Sequence, residues 1–350
     1  MITAPAGGPD ASNEAMKDRW MKRVTWCLAV LAVCSAGSAQ KKDKSGYDRA
    51  ARATVLREAI VYVASDPDSQ KVSLVTPGHE VVIVERSGPW VKVFANTDVE
   101  DDAETKPEFG DDENATPASG WIRDKGVVGP STPGGDGILY GAAANLEDEA
   151  SRPNARKGTA MAAHLLYRRV AEYYPQSPMA PEAAWRSADI RWQLEKRDVS
   201  TLPSAKEQDA YLRPQIFDGD MKKVIKNYPG TKYAAMAAYE VIDNKLCGDW
   251  QGLPKCPEKE AELYQKYAKE YPDGPRAAEA LYNATYREGV AVTMYTVQED
   301  KKKADAATAR TQALAEEMKA KYPQSDFTDR ALSIAYRVQQ GIPIYGTDRE

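Results

Sequence analysis

From residue 138 to the end of the chain, apolar side chains recur at three- and four-residue spacing, in phase with a short punctuation mark. The mark is a Tyr-Pro pair, at Tyr174-Pro175, Tyr228-Pro229, Tyr271-Pro272 and Tyr322-Pro323. Four residues before each Tyr stands a large side chain: Val170, Val224, Tyr267 or Met318. Eight before stand Leu166, Leu263 and Leu314, with Asp220 breaking the rule. Three after come Ser177, Thr231, Gly274 and Ser325, residue types that accept or tolerate a helix N-cap. Nine after comes alanine every time: Ala183, Ala237, Ala280 and Ala331.

The spacing predicts a helix that buries one stripe and ends on Tyr. Proline stops it, because it has no N–H to donate and clashes with the preceding turn. A cap restarts the chain as a second helix, whose alanine lets backbones approach closely. Helices are predicted at 138–150, 157–174, 181–196, 215–227, 233–246, 257–270, 276–298, 303–321 and 326–340. Such helix-turn-helix units cannot bury their faces alone, so they stack into a solenoid, placed at 138–345. Successive Tyr-Pro pairs lie 54, 43 and 51 residues apart, so insertions must sit in the loops.

Ahead of this region the period changes. Ile60-Val61-Tyr62-Val63, Lys71-Val72-Ser73-Leu74-Val75, Glu80-Val81-Val82-Ile83-Val84 and Trp90-Val91-Lys92-Val93-Phe94 are short β-branched runs, and Gly120-Trp121-Ile122 closes the set. They are set apart by turn signals at Ser65-Asp66-Pro67-Asp68, Pro77-Gly78 and Ser87-Gly88. That texture predicts a small β-barrel or sandwich over 53–130, with Trp90 and Trp121 in its core. An acidic stretch, 98–117, interrupts it; its nine carboxylates lack the spacing of a calcium loop and predict a solvated insertion. Gly129-Pro130-Ser131-Thr132-Pro133-Gly134-Gly135 reads as a linker, giving a boundary at 131–137. The expected fold class is therefore multidomain, a small all-β barrel followed by an all-α helical solenoid.

Composition adds a compartment. With 350 residues, a net charge of -5 and 28% charged side chains, the chain has no nucleic-acid footprint. Lys17, Arg19, Lys22 and Arg23 precede an apolar run at 24–34, and Ser35-Ala36-Gly37-Ser38-Ala39 offers small residues for cleavage. This order predicts a secretory signal peptide over 1–39, followed by a polar tether at 40–52. Leu31-Ala32-Val33-Cys34 also resembles a bacterial lipobox, so a second processing route, lipidation at Cys34, stays open. That route alone would bring membrane association. In an oxidising compartment the remaining pair, Cys247 and Cys256, predicts a disulfide closing a short loop. His79, which precedes a strand at a turn and is expected to be exposed, and His164 are too few and too distant to complete a zinc site.

Two resemblances follow. The Pro67 turn, Pro77-Gly78, the Gly88-x-Trp90-Val91-Lys92-Val93 strand and Gly120-Trp121-Ile122 together resemble a bacterial SH3 domain. Its members often contact cell-wall peptides or envelope partners; Ala64 stands where many carry Arg, so no ligand residue is carried over. The segment from Leu165 through Tyr174-Pro175 to Ser177, echoed by Glu262-Leu263-Tyr264-Gln265-Lys266-Tyr267 and Tyr271-Pro272, resembles bacterial envelope tetratricopeptide-like repeats. The similar families are the outer-membrane assembly lipoprotein BamD and the Tol-Pal/cell-division coordinator YbgF/CpoB.

No phosphate loop, dinucleotide fingerprint or zinc-protease motif is present, and neither histidine neighbours a nucleophile in sequence. No cofactor and no catalytic activity is expected. Nineteen tyrosines against four phenylalanines are more informative. Trp185, Trp192, Tyr239 and Tyr282 lie past the repeat alanines and are candidate partner-binding side chains on a concave face. The expected function is an exported, periplasmic or outer-membrane-associated scaffold, gripping protein or peptide partners, with the barrel contacting cell wall. An accessory or targeting subunit of a peptidoglycan-remodelling enzyme is the alternative.

Overall fold

In the computed structural model, which describes residues 51–98 and 117–346, the β-branched runs pair into one antiparallel sheet. Its strands are β1 (Arg52–Val55), β2 (Ala59–Tyr62), β3 (Lys71–Val75), β4 (Glu80–Ser87), β5 (Trp90–Ala95), β6 (Ala118–Arg123) and β7 (Val127–Val128). The order is β3-β2-β6-β5-β4-β1-β7. The β4-β5-β6 meander is its centre. Consecutive strands β1 and β2 pair with opposite edges of that meander, β1 with β4 and β2 with β6. One short stretch of chain thus touches both edges and curls the sheet. Alternating inward residues, Val61, Val75, Val81, Val91, Val93 and Ile122, are fully buried inside the curl. Trp90 is buried as expected, packed edge-on against Tyr62 and under the Arg123 guanidinium, while Trp121 is half-buried.

The helices follow the predicted spans closely. They are α1 (Gly135–Ala150), α2 (Thr159–Tyr173), α3 (Ala180–Ser200), α4 (Gly219–Asn227), α5 (Lys232–Glu240), α6 (Lys255–Glu270), α7 (Ala277–Val297), α8 (Lys301–Lys321) and α9 (Asp326–Gln339). The Tyr-Pro pairs are one structure made four times. Tyr174, Tyr228, Tyr271 and Tyr322 have φ between -125° and -130° and ψ between 50° and 60°. Proline forces this, because it excludes the helical region for the residue before it. Each Tyr N–H still closes the last turn onto the carbonyl four residues back, and each Tyr carbonyl accepts from the N–H three residues on. The four alanines are completely buried, and so are Val170, Val224, Tyr267 and Met318, each within 3% exposure. At Asp220 and Leu263 the buried place is taken one residue later, by Met221 and Tyr264.

The caps divide. Thr231 and Ser325 cap α5 and α9 with their hydroxyls, as predicted. Ser177 and Gly274 do not. Each is followed by proline, and the chain makes an extra i→i+3 turn before α3 and α7 begin. The Ser177 hydroxyl instead donates to Asp136 at 2.7 Å.

Sheet and helices meet on a buried arginine. Arg169, on α2, is 2% exposed. Its guanidinium pairs with Asp98 from the turn that follows β5, donates to the Gly78 carbonyl at 2.9 Å and pairs with Glu172; Glu80 of β4 lies 4.0 Å away. Asp98 also accepts from the Glu80 N–H at 3.0 Å and faces His79 Nδ1 at 3.2 Å. Burial alone would raise the Asp98 pKa. The His79 hydrogen bond, the Arg169 charge and the Glu80 N–H outweigh it and hold the carboxyl well below the usual range. Two expectations are corrected here. Asp98 is not the first residue of a solvated insertion but a buried anchor, because Arg169 neutralises it. His79 is not exposed but largely covered, its side chain 12% exposed beside Asp98. The rest of the acidic stretch, 99–116, lies outside the described residues, as do the leader and Cys34.

Glycine makes the approach possible. Gly78 has φ of +91°, and a Cβ there would sit 2.4 Å from the Leu165 Cβ. The linker is pinned too: the Tyr174 hydroxyl donates to the Gly129 carbonyl at 2.5 Å, and α1 already begins at Gly135.

Arg169→Met removes a charge from a site that keeps Asp98. The expected loss in urea denaturation is about 3–5 kcal/mol, the range for breaking a buried pair. Arg169→Met with Asp98→Asn should lose less than the two single losses combined. A loss within about 0.5 kcal/mol, the level of an ordinary surface substitution, would contradict the assignment.

Candidate functional site

Counting from the Tyr of each Tyr-Pro pair, steps of three and four residues place positions +5, +8, +12 and +15 on one stripe of the following helix. In the α3 unit these are Met179, Glu182, Arg186 and Asp189; in the α5 unit, Tyr233, Met236 and Glu240, with Asp243 in the short 3-10 turn that follows α5. In the α7 unit they are Arg276, Glu279, Asn283 and Tyr286; in the α9 unit, Phe327, Arg330, Ile334 and Arg337.

Three sequence-derived candidates share position +11, on the flank of this stripe: Trp185, Tyr239 and Tyr282. Each meets position +5 of the next unit. The Trp185 and Tyr233 ring centroids are 6.0 Å apart, the Arg276 guanidinium carbon lies 5.7 Å from the Tyr239 ring, and Tyr282 and Phe327 are 5.5 Å apart. These half-buried side chains therefore stitch α3 to α5, α5 to α7 and α7 to α9, and each leaves part of its surface at the stripe's edge. Trp192 is different and is corrected: it is 1% exposed, packed among Ala188, Met221, Val224 and Ala237, and cannot touch a partner. Its helical phase matched the others, but the chain between α3 and α4, with Ile216, folds over it.

The stripe between α1 and α5 carries a hydrogen-bonded network. Arg186 pairs with Glu147 of α1 at 2.8 Å and with Glu182 at 2.9 Å. The Tyr167 and Tyr233 hydroxyls donate to Glu147 and Glu182 at 2.7 and 2.8 Å. Burial, then Glu182, pushes the Tyr233 phenol up to about 12, so it stays a donor. Arg186 is thus fully neutralised. The next carboxylates are not. Among the described residues, Asp189 accepts only from Gln193, at 3.2 Å. Glu240 makes no hydrogen bond or ion pair among the described residues, and the adjacent Lys196 is engaged by Asp243. Burial raises both pKa values; at Asp189 the Gln193 hydrogen bond, Arg276 and Arg186 moderate it while Glu147 adds to it, and at Glu240 Asp243 and Asp189 add to it while Lys196 and Arg276 moderate it. The middle of the stripe is a half-buried surface with an excess of negative charge.

Farther along, the predicted disulfide is present: Cys247 and Cys256 are joined, with Cα atoms 6.0 Å apart. Its loop is held by Glu260, 1% exposed, which accepts from the Cys247 N–H at 2.8 Å, the Trp250 indole at 3.1 Å and Arg287 at 2.6 Å. Sequence reasoning missed this trio. Glu260 looks like any surface carboxylate, and Arg287 is 27 residues away.

The structure also brings together a pair that sequence separation hid. His164 Nδ1 lies 3.0 Å from Ser187 Oγ. It is not a nucleophile and base. His164 Nδ1 donates to the Ser187 carbonyl at 2.8 Å, the Ser187 hydroxyl donates to the His164 carbonyl at 3.0 Å, and both residues are within 5% exposure. Burial lowers the His164 pKa to about 4, so the ring is neutral and staples α2 to α3. Among the described residues, no group of His, Cys, Asp and Glu is placed to hold a metal, and no helix is long and apolar enough to cross a membrane.

No protein-family model matches the chain, and no curated protein does. Among solved structures, the crystal structure of a de novo designed helical repeat protein is similar over 59% of this chain and 93% of that one, at 18% identity and a TM-score of 0.22.

Because folding raises the Glu240 pKa, ionisation opposes folding. That cost is absent below the ordinary carboxylate range and is felt once pH has risen through the raised value. Glu240→Gln should therefore stabilise the chain at pH 7, by at most about 1 kcal/mol for a half-buried site. The gain should vanish at pH 4. Equal Tm values at both pH values for variant and parent would contradict the uncompensated charge.

Proposed function

We propose that the chain is a non-enzymatic, exported cell-envelope scaffold that binds protein or peptide partners along the stripe of its helical repeats. The observation that carries this reading is the four-fold repetition of the Tyr-Pro corner. It sets position +11 of α3, α5 and α7 against position +5 of the next unit, so the units join in series into a surface rather than a pocket. The partner-facing stretch is Arg186 to Asp243, with Trp185 and Tyr239 at its edge. Export is supported by the charge-apolar-small order at 17–39 and agrees with the Cys247–Cys256 bridge. The curled sheet, whose sequence motifs resemble a bacterial SH3 domain, is read as the contact to cell wall or a partner, and outer-membrane protein assembly is the process that the repeats' resemblance suggests.

A photo-crosslinking residue placed at Asp189 or Met236 tests the reading in cells. Adducts with envelope proteins are expected at both positions and not at Lys319, an exposed position on α8. The mature chain in the same cells should begin near Gln40, or at a lipid-modified Cys34. Equal adducts at Lys319, or an intact leader on a cytoplasmic chain, would overturn it.

A further inference from the structure

The segment that follows α9 turns back onto the repeats. Gly341 has φ of 68°, and the Ile342 N–H donates to the Arg337 carbonyl at 2.8 Å. The Arg337 guanidinium then donates to the Pro343 carbonyl, and the Ile344 N–H donates to the Thr293 hydroxyl at 2.9 Å. Ile344 is 3% exposed, in a pocket of Val290, Met294, Ile334 and Val338. The Tyr345 ring meets Trp250 at 5.7 Å, and Trp250 meets Tyr286 at 6.3 Å.

These contacts fall on the stripe already described. Ile334 and Arg337 are positions +12 and +15 of the last unit, equivalent to Arg186 and Asp189 in the first. Tyr286 is position +15 of the α7 unit, and Val290 and Thr293 continue the same face. The repeats therefore already hold one short segment of chain. Side chains of the stripe bond its backbone, an apolar pocket takes one branched side chain, and the disulfide-bridged loop supplies an aromatic wall.

We propose that this stretch is a peptide-binding site, filled by the chain's own residues 342–345 until a partner displaces them. The partner is a short segment with the same chemistry: a branched apolar residue for the Ile344 pocket, next to an aromatic residue for Trp250. The inference rests on the partner-binding reading and names the partner's side chains. The resident segment is suited to displacement. It commits one buried side chain, while Ile342 remains 44% exposed and Pro343 is exposed, so its local opening costs far less than global unfolding. A site that is occupied most of the time lowers apparent affinity by the fraction left open.

The probe is a fluorescein-labelled synthetic peptide of residues 339–350, titrated into the full chain with its disulfide intact. Ile344→Ser weakens the resident segment, and the peptide is expected to bind this variant at least tenfold more tightly than the parent. A peptide carrying Ile344→Asp should not bind either protein. Circular dichroism checks that the variant folds; if Ile344→Ser does not, Tyr345→Ala is the release variant, with the same expectation. Equal affinity for parent and a folded release variant, or no binding to either, overturns the proposal. If that happens while crosslinks at Asp189 and Met236 persist, the partner-binding reading stands and this inference alone fails. If the crosslinks are also absent, both fail.

Discussion

Arg169 is the side chain on which the arrangement depends. A guanidinium almost sealed from water is unstable unless its charge and donors are answered. Here Asp98 and Glu172 answer the charge and the Gly78 carbonyl a donor, with Glu80 close by. Two of the three carboxylates and the carbonyl come from the curled sheet, and the arginine comes from the helices. Neither part can satisfy its buried groups alone, so the junction fixes which face of the sheet meets α2. Gly78 is the steric half of the same constraint, since any side chain there would push the sheet off Leu165.

From that anchor the repeats propagate by a second device. Each Tyr-Pro corner sets one backbone geometry, and each buried alanine sets one close helix approach. Side chains at fixed offsets then line up between units: the +11 aromatics reach the +5 residue of the next unit in all three steps. In the last of these units the same stripe is covered by the chain itself. The face is therefore not uniform. Its middle is acidic and open, and its far part is apolar and filled.

The helices and the repeat phase were legible in the sequence because they rest on local rules. Apolar spacing, the pre-proline restriction and alanine size all act within about ten residues. Strands β2 to β6 were legible for the same reason, through alternation and turn residues, whereas β1 and the two-residue β7 fell outside the predicted runs. The disulfide was legible because the cysteines are few. What could not be read were pairings across long separations. Asp98 and Arg169 are 71 residues apart, and Glu260 and Arg287 are 27 apart; each residue alone looks like a solvated charge. Trp192 failed for a related reason: the helix phase gave its direction but not the loop that covers it. Ser177 and Gly274 failed locally, since the prolines after them delay the helix by a turn. Of the site, the flanking aromatics Trp185, Tyr239 and Tyr282 were found from the repeat phase, while Asp189 and Glu240 stand out only when unpaired charges can be compared in space.

The central claim is that the buried Arg169 cluster makes sheet and helices a single cooperative body. Native-state hydrogen exchange followed by mass spectrometry tests it most directly, by comparing the slowest amides of β4 and β5 with those of α2 and α3. The account predicts one shared opening free energy for both sets. It also predicts that in Asp98→Asn the two sets separate, the sheet opening first. Slow amides of the sheet that open independently of the helices in the parent chain would contradict it.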